Sequence, residues 1–317
     1  MQLCGDSGFN ACNGQRTTAE LIGVTQFRDI AAFIRPELWR GGRYVIVRHA
    51  ADDTSVMIRN HLANRIEAMQ ISLDGRNALV TGASSGLGPF IVQALDEAGA
   101  NIALHYHGNK SGAETVAAAC SNKTEIIQAD LGDTDSVDQL FVKARATLGD
   151  ITILVNCAAA ESQNVEDLAK LSNDQWAITQ QANVQAPMKL IQHLAAQETP
   201  GSVINISSIE GSRPAFGHAH YATSKAALEM LSQAAALEFG PLGIRVNAIA
   251  PGLIHRDGIE QGWPEGVNAW KAAAPLGRLV DPENIAAATV YLASDHAASV
   301  SGAVMTIDCG LSVRPGW

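Results

Sequence analysis

The chain has 317 residues, of which 47 % are hydrophobic and 17 % charged, with a net charge of −10. A chain of this length buries a stable core without disulfide or metal staples, and its composition argues against disorder. The acid excess argues against a broad nucleic-acid or anionic-membrane surface. Five cysteines (Cys4, Cys12, Cys120, Cys157 and Cys309) form no C-x-x-C pair, so no metal site or disulfide framework is expected. No apolar run approaches the roughly 18 residues of a membrane span, and no apolar leader follows the first methionine. A reducing, cytoplasmic setting is expected.

Composition shifts near residue 70. Residues 1–68 carry eight arginines, no lysine and seven acids, a net of +1, which leaves −11 for the remainder. Within this stretch "YVIVRHA" (Tyr44–Ala50) reads as a strand running into an Arg-His pair, similar to the start of histidine phosphatases. Ala50 stands where the glycine would be, and too few residues follow for that domain. Residues 1–72 are therefore expected to form an irregular extension, or sequence upstream of a start at Met57 or Met69. Residues 73–317 are expected to form the main domain.

From residue 73 the pattern becomes regular. β-Branched or apolar runs lie at 77–82, 101–107, 124–130, 151–157, 202–208, 244–250 and 303–308. Helix-length segments separate them, at roughly 88–98, 112–120, 134–148, 173–198, 220–239 and 282–294. This alternation predicts βαβ units, hence a Rossmann-type α/β fold: one doubly wound, parallel, seven-stranded sheet with helices on both faces.

The first strand ends in "TGASSGLGPF" (Thr81–Phe90). Gly82 supplies a positive φ, Gly86 lets backbone approach a pyrophosphate, and Gly88 lets helix and strand pack closely. Pro89 suits the first helical turn. The N–H groups and dipole at that helix start favour phosphate. The same letters also satisfy G-x-S-x-G around Ser84, the nucleophile elbow of serine hydrolases. A hydrolase elbow follows several strands, whereas this turn ends the first, so dinucleotide binding is preferred.

The tip of the second strand decides the cofactor. An acid there would accept from the ribose 2′-hydroxyl of NAD(H). The residues present are "HYHGNK", in which His107, Asn109 and Lys110 suit a 2′-phosphate. NADP(H) is favoured and NAD(H) kept open, since Ser85 is not the basic residue that often assists. Asp130, ending the third strand, is placed to meet the adenine.

Tyr221 and Lys225 lie four apart at a helix start and share a face. A free tyrosine, with a pKa near 10, is a poor base at neutral pH. A neighbouring ammonium favours the phenolate and makes the pair a general acid/base. Ser208 ends the fifth strand on the sheet edge where ligands of open α/β sheets bind, and its hydroxyl can meet a carbonyl oxygen.

These motifs together resemble the short-chain dehydrogenase/reductase family in its compact form, over roughly residues 73–312. "TGASSGLG" matches its TGxxxGxG, "SVINISS" followed by "YATSK" matches its Ser…YxxxK, and "QANVQAP" carries the matching Asn183. The resemblance implies that Tyr221 moves the proton, Lys225 tunes it and holds the nicotinamide ribose, and Ser208 orients the carbonyl. It gives Asn183 the bracing of a proton-relaying water. It implies cofactor contacts from Ser84, Leu87, Leu131, Asn156, Ala158, Pro251, Gly252 and Ile254 besides the residues above. It also implies a homo-oligomer, tetramer or dimer.

Three departures stand out. The usual NNAG is "NCAA" (Asn156–Ala159), Arg256 replaces a threonine after Pro251-Gly252, and "DCG" replaces DGG at 308–310. On the substrate side, residues 253–276 form the variable loop, and Glu210, His255, Arg256 and Trp263 are candidate contacts. His218 and His220 flank the tyrosine, and "SVRPGW" is a candidate interface segment. The expected activity interconverts an alcohol and a ketone or aldehyde, with polyols or sugars and 3-oxoacyl compounds as candidate substrates. The alternatives are a non-catalytic dinucleotide sensor and a hydrolase built on Ser84.

Overall fold

The computed structural model describes residues 71–160 and 167–313. The chain divides into two units, Met1–Gln70 and Ile71–Trp317. The expectations for Tyr44–Ala50, Met57 and Met69, and those for Arg314–Trp317, lie outside the described residues.

The second unit is a seven-stranded parallel sheet in the order β3-β2-β1-β4-β5-β6-β7. Its strands are β1 (Asn77–Val80), β2 (Asn101–Tyr106), β3 (Thr124–Gln128), β4 (Ile153–Asn156), β5 (Gly201–Ile206), β6 (Ile244–Pro251) and β7 (Val304–Ile307). The helices that cover it are α1 (Gly88–Glu97), α2 (Lys110–Ala119), α3 (Thr134–Leu148), α4 (Asn173–Gln180), α5 (Ala186–Ala195), α6 (Ala219–Phe239) and α9 (Pro282–Ala293). Two short helices, α7 (Ile259–Gly262) and α8 (Pro264–Ala273), occupy the loop after β6.

The central strands read as unbroken apolar runs because both faces are covered. Successive residues point to opposite faces, and the core divides accordingly. Ala78, Val80, Ile102, Leu104, Ile153 and Val155 join one core with α1 and α9. Leu79, Ala103, Leu154 and Val203 join the other, with α3 and α5. The strand order reverses between β1 and β4, so the crevice at their carboxyl ends is the topological switch point where such sheets bind ligands.

One predicted helix is longer than the observed one. The segment expected over 173–198 runs as α4, a π-helical turn over Gln181–Gln185, and α5, which stops at Ala195. Glu198 at φ 56° and the following Thr199-Pro200 end it, because proline disfavours helix in the residue before it.

Candidate active site

The glycine turn is built by close approach. At Gly82, φ 66°, an added Cβ would lie 2.8 Å from the Cα of Ala158 on the β4 side of the crevice. At Gly88 it would collide with the carbonyl of Gly82, so α1 starts against the turn only with glycine there. Gly86, φ 61°, is different: its would-be Cβ points into open space. Thr81 Oγ1 accepts from the N–H groups of Cys157 and Ala158 at 3.0 and 3.1 Å, tying "NCAA" to the turn.

Beside the turn, Asn109 caps α2 by accepting from Gly112 N and donates through Nδ2 to Ser84 O at 3.0 Å. The side chain that was a candidate for a 2′-phosphate thus braces the loop. His107 and Lys110 are exposed, the latter 3.5 Å from Glu114. Asp130 turns back to accept from Gly132 N at 2.8 Å, and Leu131 is buried.

These residues fit a dinucleotide. The N–H groups of Ser84, Ser85, Gly86 and Leu87 have no hydrogen-bond acceptor among the described residues, and they lead into the α1 N-terminus beneath the open cradle at Gly86. That is a receptor for pyrophosphate.

Ser208 follows the carboxyl end of β5, and Tyr221 and Lys225 lie on the first turns of α6. Lys225 is only 2 % exposed. Its ammonium donates to the carbonyl of Ile206 at 2.8 Å and stands 5.4 Å from the Tyr221 ring centroid. Ser208 follows β5, and its Oγ accepts from Glu210 N at 3.1 Å. Asn183 sits in the π-helical turn, 1 % exposed. Such turns concentrate at functional sites. Its Oδ1 accepts from Ala160 N at 2.7 Å, and its Nδ2 donates to Ser224 Oγ at 3.0 Å. Asn156 lies under the crevice and donates to Asn205 at 2.7 Å, which donates to Ser232.

On the substrate side, Nδ1 of His218 lies 3.2 and 3.1 Å from the two carboxylate oxygens of Glu210. His220 is buried, and desolvation lowers its pKa. Gly252, after Pro251, is packed by the Trp270 ring, which makes Trp270 an anchor of the loop. Ile254 bridges to Val280. His255 and Arg256 are exposed, and Trp263 is 55 % exposed and lies over Gly266. Desolvation pushes the Cys157 thiol up to about 12, the Lys225 charge acting in the other direction. Among the described residues no cluster of His, Cys, Asp or Glu could hold a metal.

Two contributors escape motif reading: Ser224 and His105. The signal for His105 is a polar residue inside the apolar run of β2. For Ser224 it is position, between the tyrosine and the lysine.

Residues 82–312 match a family profile described as enoyl-(acyl carrier protein) reductase. The 3β-hydroxysteroid dehydrogenase 1 of Eggerthella lenta is 34 % identical over 258 residues, covering 78 % of this chain and 98 % of that protein. A short-chain dehydrogenase/reductase from Serratia marcescens is 32 % identical with a TM-score of 0.72, covering 76 % of this chain and 99 % of that one. A blue fluorescent protein from a metagenomic library, solved in complex with NADPH, is 31 % identical with a TM-score of 0.71 over the same shares. The chain belongs to the short-chain dehydrogenase/reductase family. It is a nicotinamide-dinucleotide-dependent oxidoreductase of alcohol and carbonyl groups.

Proposed function

We propose that the protein reduces a ketone or aldehyde, or oxidises the matching alcohol, with Tyr221 as the general acid/base and NADP(H) as the preferred carrier. The observation that carries this reading is the Tyr221–Lys225 pair. A buried ammonium stands 5.4 Å from the phenol ring, on the sheet edge that also carries the open glycine cradle. A sensor needs the cradle but not the pair, and among the described residues the Ser84 hydroxyl has no hydrogen-bond partner that could serve a hydrolase.

When bound, the nicotinamide supplies hydride to the carbonyl carbon or takes it from the alcohol carbon. Gly82, Ser84, Ser85, Gly86, Leu87 and Gly88 would hold the pyrophosphate, and Asp130 and Leu131 the adenine side. His107 and Lys110 would meet the 2′-phosphate, while Asn156, Ala158, Pro251, Gly252 and Ile254 would line the nicotinamide side. Ser208 Oγ donates to the substrate oxygen, and Tyr221 gives that oxygen a proton in reduction and takes it back in oxidation. Lys225 holds the ribose and favours the phenolate, and Asn183 braces the relay that restores the proton.

The Glu210–His218 pair favours a hydroxylated substrate, because a carboxylate and an imidazole together accept from and donate to hydroxyls. Polyols or sugars therefore come first, and 3-oxoacyl compounds are the second reading, supported by the acyl-carrier description of the matching family. A second copy of the chain is the proposed partner. Thr223, Ala226, Met230, Gln233 and Leu237 form an exposed, uncharged line along α6. The described cysteines are free thiols, which fits the reducing cytoplasm.

The test follows nicotinamide absorbance with NADPH and NADH against sugars, polyols, ketones and 3-oxoacyl thioesters, for wild type and Tyr221→Phe. Turnover that survives the substitution unchanged would reject Tyr221 as the acid/base.

A further inference from the structure

His105 is a histidine near the carboxyl end of β2, one strand in from the sheet edge, 2 % exposed, with a partner on each ring nitrogen. Gly82 donates its N–H to Nδ1 at 3.1 Å. Nε2 lies 3.2 Å from the carbonyl of Ala129. An N–H donor facing Nδ1 requires a lone pair there, and a carbonyl facing Nε2 requires a proton there. Together they select one neutral tautomer. Burial agrees, pushing the pKa down to about 4, and His107 and Asp130 are the charged neighbours that act on it with opposite signs. The backbone carbonyl of His105 also accepts from Ala83 N at 2.9 Å.

One residue thus takes the first two amides of the glycine turn and ties them to the end of β3, one residue before Asp130. The next four N–H groups have no acceptor among the described residues. Resting on the dinucleotide reading above, we propose that His105 is a positioning residue for the cofactor. Its neutral ring fixes Gly82 so that the amides after it present themselves to pyrophosphate, in register with the adenine side at Asp130. It touches no substrate and moves no proton.

Two substitutions separate this role from packing. An asparagine oxygen reaches the Nδ1 position and can still accept from Gly82. A glutamine amide reaches the Nε2 position, keeps the bond to Ala129 and takes the acceptor away from Gly82. The experiment titrates NADP⁺ into wild type, His105→Asn and His105→Gln by calorimetry at pH 7.5. Circular dichroism checks folding. Losing one such hydrogen bond weakens binding roughly tenfold. The expected result is a dissociation constant within about threefold of wild type for the asparagine variant and roughly tenfold weaker for the glutamine variant. Equal affinities in all three proteins, or equal losses in both variants, would overturn the proposal and leave the dinucleotide reading standing. A folded wild type that binds neither NADP⁺ nor NAD⁺ would overturn both. Nitrogen-15 NMR of the wild-type imidazole decides independently if a variant does not fold. A neutral ring protonated at Nε2 is expected, and a proton on Nδ1 would overturn the proposal.

Discussion

Asn183 donates through Nδ2 to Ser224 Oγ at 3.0 Å, and that hydroxyl donates to the carbonyl of Tyr221 at 2.7 Å. The π-helical turn is therefore wired to the first turn of α6, where the tyrosine sits. Asn183→Ala would take the acceptor from the half-buried Ala160 N–H, at about 1 kcal/mol. Ser224→Ala would remove only the bridge. We expect the first to lower both stability and kcat, and the second to lower kcat with stability nearly unchanged. Urea unfolding and steady-state kinetics distinguish them, and an asparagine variant of wild-type activity would contradict the wiring.

The glycines separate folding from binding. Gly82→Ala forces its Cβ within 2.8 Å of Ala158 Cα at a positive φ, and is expected to cost about 2–3 kcal/mol. Gly86→Ala meets nothing among the described residues, so the backbone conformation is what opposes it, at about 1 kcal/mol. The new methyl nevertheless occupies the cradle. The account expects a folded Gly86→Ala protein whose dinucleotide affinity falls by at least tenfold. Undiminished affinity would show that the cradle faces no ligand.

Acid should weaken the fold through His105. Its folded pKa of about 4 lies below the ordinary 6.5, so between those values the unfolded chain binds a proton that the folded chain refuses. Stability from this source is complete above pH 6.5 and is lost as pH falls through 4, amounting to about 3 kcal/mol. Urea midpoints at pH 7.5 and 4.5 should differ more in wild type than in His105→Asn. Equal acid sensitivity in the two proteins would reject a buried neutral imidazole.

Lys225 tests the electrostatics of the site. Its ammonium is buried against the Ile206 carbonyl, so Lys225→Met removes both the charge and a hydrogen bond. Turnover should drop by about 10²-fold or more at pH 7 and partly recover at higher pH, where the phenol ionises unaided. A variant with an unchanged pH profile would show that the lysine does not tune the tyrosine.

Much of this was legible in residues 77–308, because both signals used there are periodic or punctuated. Strands buried on two faces read as apolar runs, and glycines mark the turn that only they can make. The proposed Ser208, Tyr221 and Lys225 set rests on chain order and spacing, which put its members after β5 and at the start of α6. Side-chain bonds across strands were not legible. Asn109 suits a 2′-phosphate by residue type and position, yet its amide holds the Ser84 carbonyl, a link between residues 25 apart that no local pattern encodes. His105 and Thr81 act in the same way, by bonds to neighbouring strands. The π-helical turn over Gln181–Gln185 is not legible in a segment whose sequence predicts one helix over 173–198.

The most direct test of the central claim is a titration of the purified, folded protein with NADPH and with NADH, followed by cofactor fluorescence. The account predicts saturable binding of NADPH, weaker binding of NADH, and loss of both signals when Gly86 carries a methyl. A folded protein that binds neither cofactor would contradict it.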